Sequence, residues 1–121
     1  MRVAGFGFRQ SAGAESLAAA FSLTNGRNVT HIATVASKAE ASAMKDFAAR
    51  LGLPIIPVPE GVLTQTPVVT HSAKSFETHG TGSVAEASAL AAAGERARLE
   101  APRVVSPDGM ATCAIAEGTD E

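Results

Sequence analysis

Arg2-Val3-Ala4-Gly5-Phe6-Gly7-Phe8 is a short apolar run closed by glycines, and it predicts a buried first strand. Residues 11–23 are rich in alanine and leucine and predict a helix, which the turn residues Thr24-Asn25-Gly26 end. Residues 29–35 are β-branched and apolar, so they predict a second strand. A strand, a helix and a second strand in this order are typical of an α/β fold.

The next segment repeats the alternation of strand and helix. Ser37-Lys38-Ala39-Glu40 has the pattern of a capping box, in which the Ser and Glu side chains each satisfy a backbone N–H group of the other. It predicts a helix with one apolar face, ended by Gly52. Residues 53–58 predict a third strand, and their two prolines favour a sheet edge or irregular strand ends.

The last third of the chain predicts a helix and a hairpin. Ser83-Val84-Ala85-Glu86 is a second capping box and opens a helix that Gly94 ends. Residues 103–106 and 111–116 predict two strands, which the turn residues Pro107-Asp108-Gly109 join.

We therefore expect a three-layer α/β/α fold with a mixed, largely parallel sheet of about five strands that ends in an antiparallel hairpin. One domain spans residues 1–116, and the acidic residues 117–121 form a frayed tail. Residues 59–82 show no clear period and predict a long loop, in which Val68-Val69 could form a short strand.

Length and composition exclude several classes of protein. The 121 residues are 45% hydrophobic and 18% charged, which fits one domain. A formal net charge of −2 disfavours binding to a nucleic-acid backbone. The single cysteine excludes an intrachain disulfide. No apolar run reaches the roughly 18 to 20 residues of a membrane span, and the amino end resembles no secretory signal, so we expect a cytoplasmic location.

Sequence motifs for nucleotide cofactors are incomplete. Gly5-Phe6-Gly7 begins like a dinucleotide fingerprint, but Gln10 occupies the position of the third glycine. Gly80-Thr81-Gly82-Ser83 lacks the lysine of a phosphate-binding loop. We therefore expect no cofactor.

Candidate metal ligands are also sparse. His71, Glu77 and His79 lie in the long loop at a spacing that matches no compact metal motif, and we expect solvated loop residues and no metal site. Cys113 belongs to an apolar strand, where a thiol is expected to be buried and inert.

The segments that follow the strands form a candidate anion site. Ligands of open α/β sheets bind outside the carboxyl ends of the parallel strands. Residues 7–11, 36–38 and 81–83 are expected there with the long loop, and three of these segments open helices whose free N–H groups favour anions. Three cations are expected at the same edge: Arg9, Lys38 and Lys74. The alternative is that Arg9 and Lys38 are solvated surface residues.

Glu86 admits two roles. As the last member of the second capping box it needs no further function, whereas at the mouth of a pocket it could act as a general base. The sequence contains no Gly-x-Ser-x-Gly elbow and no Ser-His-Asp order, so an activated nucleophile has no local support.

Five stretches, which fall in the same order as the motifs of a known family, carry a resemblance to it. They are Gly5-Phe6-Gly7-Phe8-Arg9, Ala36-Ser37-Lys38-Ala39-Glu40, Leu51-Gly52-Leu53-Pro54, Thr81-Gly82-Ser83-Val84-Ala85-Glu86-Ala87 with Ala92-Ala93-Gly94, and Ala111-Thr112-Cys113-Ala114-Ile115-Ala116. Together they resemble the cobalamin-biosynthesis family of CobE and the C-terminal domain of CbiG, over nearly the whole chain. A free-standing domain of this length resembles the CobE type of the aerobic pathway.

The resemblance implies a role in corrin-ring synthesis, with a carboxylated corrin or precorrin intermediate as the ligand and other corrin-pathway enzymes as candidate partners. Carried over residue by residue, it marks a ligand-binding set and one candidate catalytic residue: Gly7, Arg9, Lys38, Thr81, Gly82, Ser83 and Val84 for binding, and Glu86 as orienting residue or base. Arg9 and the Ser83 N–H are expected to bind carboxylates.

Two other functions stay open under the same resemblance. One is a hydrolase that opens the δ-lactone of a precorrin intermediate, and the other is an accessory subunit of a corrin-pathway enzyme. The chain has no Trp or Tyr, so stacking on the corrin ring must come from Phe6, Phe8 or Phe76. The long loop of residues 59–82 could fold over the macrocycle.

Overall fold

Strands and helices alternate along residues 1–118, the part of the chain that the computed structural model describes. The elements are β1 (Arg2–Phe8), α1 (Ala14–Ser22), β2 (His31–Val35), a 3₁₀ turn (Ala36–Lys38), α2 (Ser42–Leu51), β3 (Ile55–Val58), α3 (Glu60–Gln65), α4 (Ala73–His79), α5 (Val84–Ala93), β4 (Arg98–Leu99), β5 (Val104–Val105) and β6 (Ala111–Glu117). Glu117, the first residue of the expected tail, ends β6, and residues 119–121 lie outside the described residues.

The sheet is mixed, with strand order β3-β2-β1-β6-β4, and β5 also pairs with β6. β1 and β2 are parallel, as are β2 and β3. β6 runs antiparallel to β1, β4 and β5, so the other five strands share one direction. The expected three-layer fold with a largely parallel sheet and a closing hairpin is confirmed.

One outer edge of the sheet is interrupted. Leu99 of β4 pairs with Ala116, whereas Val104 of β5 pairs with Cys113, so residues 100–103 lie opposite residues 114 and 115 of β6. This edge therefore bulges away from β6 between its two short strands. β4 is a sixth strand that the sequence pattern did not predict.

Two hydrophobic layers cover the two faces of the sheet. On one face, α1 and α2 pack against Phe6 and Ile32, with Leu17 and Phe47 in the same cluster. On the other face, Ala87 and Ala89 of α5 and Leu63 of α3 pack against Val3, Val35 and other strand residues. Because neighbouring residues of a strand point to opposite faces, Val3 and Ala4 serve different layers.

The contact between α5 and β1 accounts for the small residues of both elements. A Cβ atom at Gly5 would lie 2.2 Å from the carbonyl oxygen of Ala85 and 2.6 Å from the backbone nitrogen of Ala89. Only glycine permits so close an approach of helix and strand backbones. The alanine-rich sequence of α5 is therefore a packing requirement.

The capping box predicted at residues 37–40 is wrong. Residues 36–38 form a 3₁₀ turn, and α2 begins at Ser42 after Ala41, without a side-chain cap. Because α2 begins only at Ser42, Glu40 lies before the helix, and its exposed side chain lies 3.4 Å from the Lys45 amine.

The long loop predicted at residues 59–82 is also wrong, since it contains α3 and α4, and Val68-Val69 is not a strand. Ser72 caps α4 by accepting from the Ser75 N–H at 3.3 Å, and Gly80 ends the helix with φ of 74°. α3 buries only Leu63 and α4 buries no residue, so neither helix has the apolar stripe that a periodicity analysis detects.

The second capping box is half correct. The Ser83 hydroxyl accepts from the Glu86 N–H at 3.2 Å, as expected. The Glu86 carboxylate makes no return bond to Ser83, whose N–H donates to the Thr81 hydroxyl at 3.4 Å. The Glu86 carboxylate is therefore available for hydrogen bonds to residues outside the cap.

Candidate functional site

A cavity of about 290 Å³ opens at the carboxyl ends of the parallel strands. Its walls are the end of β1, Lys38 after β2, helix α4, and the hairpin around Met110. The Arg9 N–H donates to the Met110 carbonyl at 2.9 Å, which holds the end of β1 against the hairpin turn. We call this space the carboxyl-edge cavity. Its position agrees with the edge at which the sequence predicted a pocket.

Positive charge dominates the carboxyl-edge cavity. Its ionisable lining residues are Arg9, Lys38, Lys74, His79 and Arg103. Among the described residues that line it, none is acidic. A cavity lined by two arginines and two lysines attracts anions even in a chain of net negative charge.

Lys38 lies half-buried at the base of this cavity. Its amine donates to the backbone carbonyl of Phe8 and lies 4.9 Å from the centre of the Phe8 ring. Burial lowers the pKa of the Lys38 amine, because the ammonium loses part of its hydration.

Helix α4 forms the outer wall. Lys74, Ser75 and Thr78 line the cavity from one side of this helix, with His79 at its end. The His79 ring nitrogen Nδ1 lies 3.3 Å from the Glu60 carboxylate, which links α4 to α3. Phe76, on the same short helix, is 63% exposed.

Glu86 lies outside the cavity and is completely buried. One carboxylate oxygen accepts the backbone N–H groups of Val69 and Thr70, each at 2.9 Å. The other accepts the Thr70 hydroxyl at 2.5 Å and the Arg103 N–H at 2.8 Å. Burial raises the pKa of this carboxyl, but the four donors outweigh it and the pKa is lowered. Glu86 is thus a buried carboxylate stabilised by hydrogen bonds.

The Glu86 bonds fix two walls of the cavity. Thr70 lies two residues before Ser72, which lines the cavity. Arg103 itself lines the cavity. The structure therefore places Glu86 behind the site, where its hydrogen bonds position residues that border it.

The ligand-binding residues predicted from the sequence fall into two groups. Gly7, Arg9 and Lys38 line the cavity. Thr81, Gly82, Ser83 and Val84 are buried beside it and are absent from its described lining. A Cβ atom at Gly82 would lie 2.4 Å from the Thr70 carbonyl oxygen, so this glycine permits a backbone crossing.

Sequence reasoning missed several residues of the cavity. They are Ser72, Ser75, Thr78, Arg103, Val105, Gly109, Met110, Ala111 and Thr112. Arg103 carried a usable signal, since it is the first residue of a predicted strand of the closing hairpin. The α4 residues carried none, because their helix was interpreted as loop.

The histidines and the cysteine that the sequence offered as reactive groups differ in exposure and contacts. His71 is exposed, and His79 contacts Glu60. Within residues 1–118, no three His, Cys, Asp or Glu side chains are close enough to hold a metal ion. Cys113 is fully buried, and burial raises the pKa of its thiol, which keeps it protonated.

The hairpin turn is held by Asp108. Its carboxylate accepts hydroxyls of Ser106 at 2.5 Å and Ser16 at 2.6 Å, and the Met110 N–H at 3.0 Å. These bonds lower the pKa of Asp108 to about 2. They tie the turn that borders the cavity to the first turn of α1.

Over the described part of the chain, none of the helices is both long enough and apolar enough to cross a bilayer.

Comparisons with known proteins give one family and two solved structures to which this chain is similar. Residues 2–116 match the family described as "Cobalamin synthesis G C-terminus". The structure is similar to that of CobE, a protein from the cobalamin (vitamin B12) biosynthetic pathway, with a TM-score of 0.88 and 28% identity over 100% of this chain and 92% of that one. It is also similar to the cobalamin biosynthesis protein chiG from Agrobacterium tumefaciens str. C58, with a TM-score of 0.75 and 34% identity over 99% of this chain and 100% of that one. A comparison with curated proteins gave no match.

Proposed function

The chain belongs to the family of the cobalamin synthesis G C-terminus, and from this we propose that it binds a corrin or precorrin intermediate whose side chains are still free carboxylates. A role in cobalamin biosynthesis follows from the family and the two structural relatives. The ligand and the binding role are our proposal.

The charge of the carboxyl-edge cavity is the observation that supports this ligand class. Arg9, Lys38, Lys74 and Arg103 surround a space with no acidic residue among its described lining. Charge-assisted hydrogen bonds from guanidinium and ammonium groups to carboxylates are about twice as strong as neutral ones. Amidation of the ligand would remove this advantage, so the proposed ligand precedes amidation.

The size of the cavity limits how such a ligand could sit. At about 290 Å³ it lies at the lower end of ligand pockets, which span roughly 300 to 1,000 Å³. Carboxylate side chains of a corrin would therefore enter the cavity while the ring remains at its mouth. Of the phenylalanines considered for stacking, Phe6 is fully buried, whereas Phe8 lines the cavity and Phe76 is exposed.

Binding is favoured over lactone hydrolysis by the position of Glu86. This carboxylate already accepts four hydrogen bonds and has no exposed surface, which does not suit a base that must reach a ligand or water. The Ser83 N–H, which was expected to bind a carboxylate, is also buried and donates to the Thr81 hydroxyl, so the proposed carboxylate contacts are those of the cavity cations. The expected cytoplasmic location and the aerobic branch of the pathway stay predictions.

Titration of the protein with two corrins tests the proposal. Cobyrinic acid presents free carboxylates, whereas most side chains of cobyric acid are amides. The chain has no Trp or Tyr, so visible absorbance and gel filtration follow the ligand with little protein background. We expect cobyrinic acid to co-elute and to bind at least tenfold more tightly.

Equal affinity for both corrins would contradict recognition through carboxylates. Absence of binding to either would refute the proposal and favour an accessory subunit. Chemical change of the co-eluting corrin, detected by mass spectrometry after extraction, would favour an enzyme.

A further inference from the structure

Lys38 is the half-buried amine of the carboxyl-edge cavity, and its surroundings differ from those of an ordinary surface lysine. We propose that Lys38 is a carbonyl-reactive group, whose Nζ condenses with the aldehyde or ketone of an anionic ligand in the cavity to form an imine. The proposal uses the cavity of the proposed function but not its corrin ligand.

The first argument is the lack of a counter-ion. Within residues 1–118 the Lys38 amine forms no ion pair, and its polar contact is the uncharged carbonyl of Phe8. Lys45, on the neighbouring helix α2, instead lies 3.4 Å from the Glu40 carboxylate. A carboxylate partner stabilises the ammonium form, so its absence leaves the neutral amine more accessible.

The second argument is the charge of the surrounding walls. The ionisable groups that line the cavity with Lys38 are Arg9 after β1, Lys74 and His79 of α4, and Arg103 before β5. The Phe8 ring and carbonyl favour the ammonium, whereas burial favours the amine. Burial lowers the pKa of Lys38 in this balance. A lysine desolvated in a pocket or beside other cations is the kind of lysine that forms Schiff bases.

The reaction balances without an oxidant or a reductant. The Nζ lone pair attacks the carbonyl carbon and forms the C–N bond. The carbonyl oxygen then leaves as water, taking both protons of the neutral amine, and a C=N bond remains. His79, Ser75 and Thr78 line the same cavity and are groups able to carry these protons. The neighbouring cations hold the anionic part of the ligand.

Reductive trapping tests the proposal on the intact chain. The protein is incubated at pH 7.5 with 4-carboxybenzaldehyde and cyanoborohydride, and the modified lysines are mapped by peptide mass spectrometry over time. The cavity cations hold the carboxylate and place the aldehyde beside Nζ, so we expect Lys38 to react about tenfold faster than Lys45 or Lys74. Benzaldehyde, which lacks the carboxylate, should lose this preference.

The variant Lys38→Arg keeps the positive charge and should remove the fast phase, and Lys45→Arg is the matched control. Labelling of Lys38 no faster than that of Lys45, or a fast phase that persists in Lys38→Arg, would refute the proposal. Corrin binding is measured separately. A chain that binds cobyrinic acid but leaves Lys38 unreactive contradicts only this inference, and the reverse result contradicts only the proposed function.

Discussion

The Glu86 carboxylate accepts the backbone N–H of Arg103 at 2.8 Å, so a buried charge in α5 fixes the residue whose side chain borders the carboxyl-edge cavity. The same carboxylate holds Val69 and Thr70, which shortly precede Ser72 of the cavity lining. The Thr81 to Ala87 stretch that resembles the family therefore supports the site from behind.

Replacement of Glu86 should be costly although the residue touches no cavity surface. Glu86→Gln removes the charge and turns an NH₂ group toward backbone donors, which leaves buried groups unsatisfied. We expect a loss of about 2 to 4 kcal/mol in the free energy of unfolding, measured by urea titration. Glu95→Gln, at an exposed position after α5, is the control and should change stability by less than about 0.5 kcal/mol. Equal stabilities of the two variants would contradict the assigned network.

The stability that Glu86 contributes should depend on pH. Its pKa is lowered from the ordinary 4.5, so the contribution is complete above pH 4.5 and is lost as the pH falls through the folded-state pKa. The difference in unfolding free energy between the wild type and Glu86→Gln should therefore shrink below pH 4.5. Asp108, with a pKa of about 2, also titrates in acid, but it is common to both proteins and cancels in the difference. A difference that is constant down to pH 3 would be inconsistent with a lowered pKa.

The contact between β1 and α5 should not tolerate an added methyl group at Gly5. Gly5→Ala places a Cβ atom 2.2 Å from the Ala85 carbonyl oxygen, so α5 must shift away from the sheet. We expect a loss of about 2 to 3 kcal/mol or failure to fold, as seen for overpacked cores. Gly61→Ala is the control, because no atom lies within 4 Å of its added Cβ and alanine favours helix α3. It should be neutral or stabilising by up to about 1 kcal/mol.

Two arginines of the cavity should each contribute to binding of a carboxylated corrin. Arg9→Ala and Arg103→Ala remove one cation each, and we expect about tenfold weaker binding, equivalent to about 1.4 kcal/mol. The Arg103 variant keeps its backbone bond to Glu86, so the wall itself should stay in place. Arg50→Ala is the control, since Arg50 pairs with Glu15 and is absent from the described cavity lining. Loss of affinity equal to that of the Arg50 variant would argue against these contacts.

The layer architecture could be predicted because strong local signals agreed with one another. The apolar β1, the β-branched β2 and the Gly52 stop of α2 are readable without tertiary information. α4 could not be read in this way, since its seven residues bury no side chain and its stability comes from the Ser72 cap and the Gly80 end. Its cavity residues were therefore missed with it.

Prediction of the candidate site from the sequence was limited in a similar way. Arg9 and Lys38 both line the carboxyl-edge cavity, as expected for residues that follow parallel strands whose ends share one sheet edge. The role of Glu86 depended on partners 16 and 17 residues away in the chain, at Thr70 and Arg103. A local capping pattern contains no information about such partners. It correctly predicted the Ser83 cap, but its second half, a bond from the Ser83 N–H to the Glu86 carboxylate, is wrong.

The interrupted outer edge disfavours strand pairing between copies of this chain at high concentration. Exposed strands invite intermolecular β pairing when they offer a long, regular ladder of N–H and C=O groups. β4 and β5 offer two residues each, separated by a bulge that contains Pro102, and the opposite edge strand β3 contains Pro57. Neither side of the sheet presents a continuous template, so the molecule is protected against edge-to-edge aggregation by its own backbone irregularities.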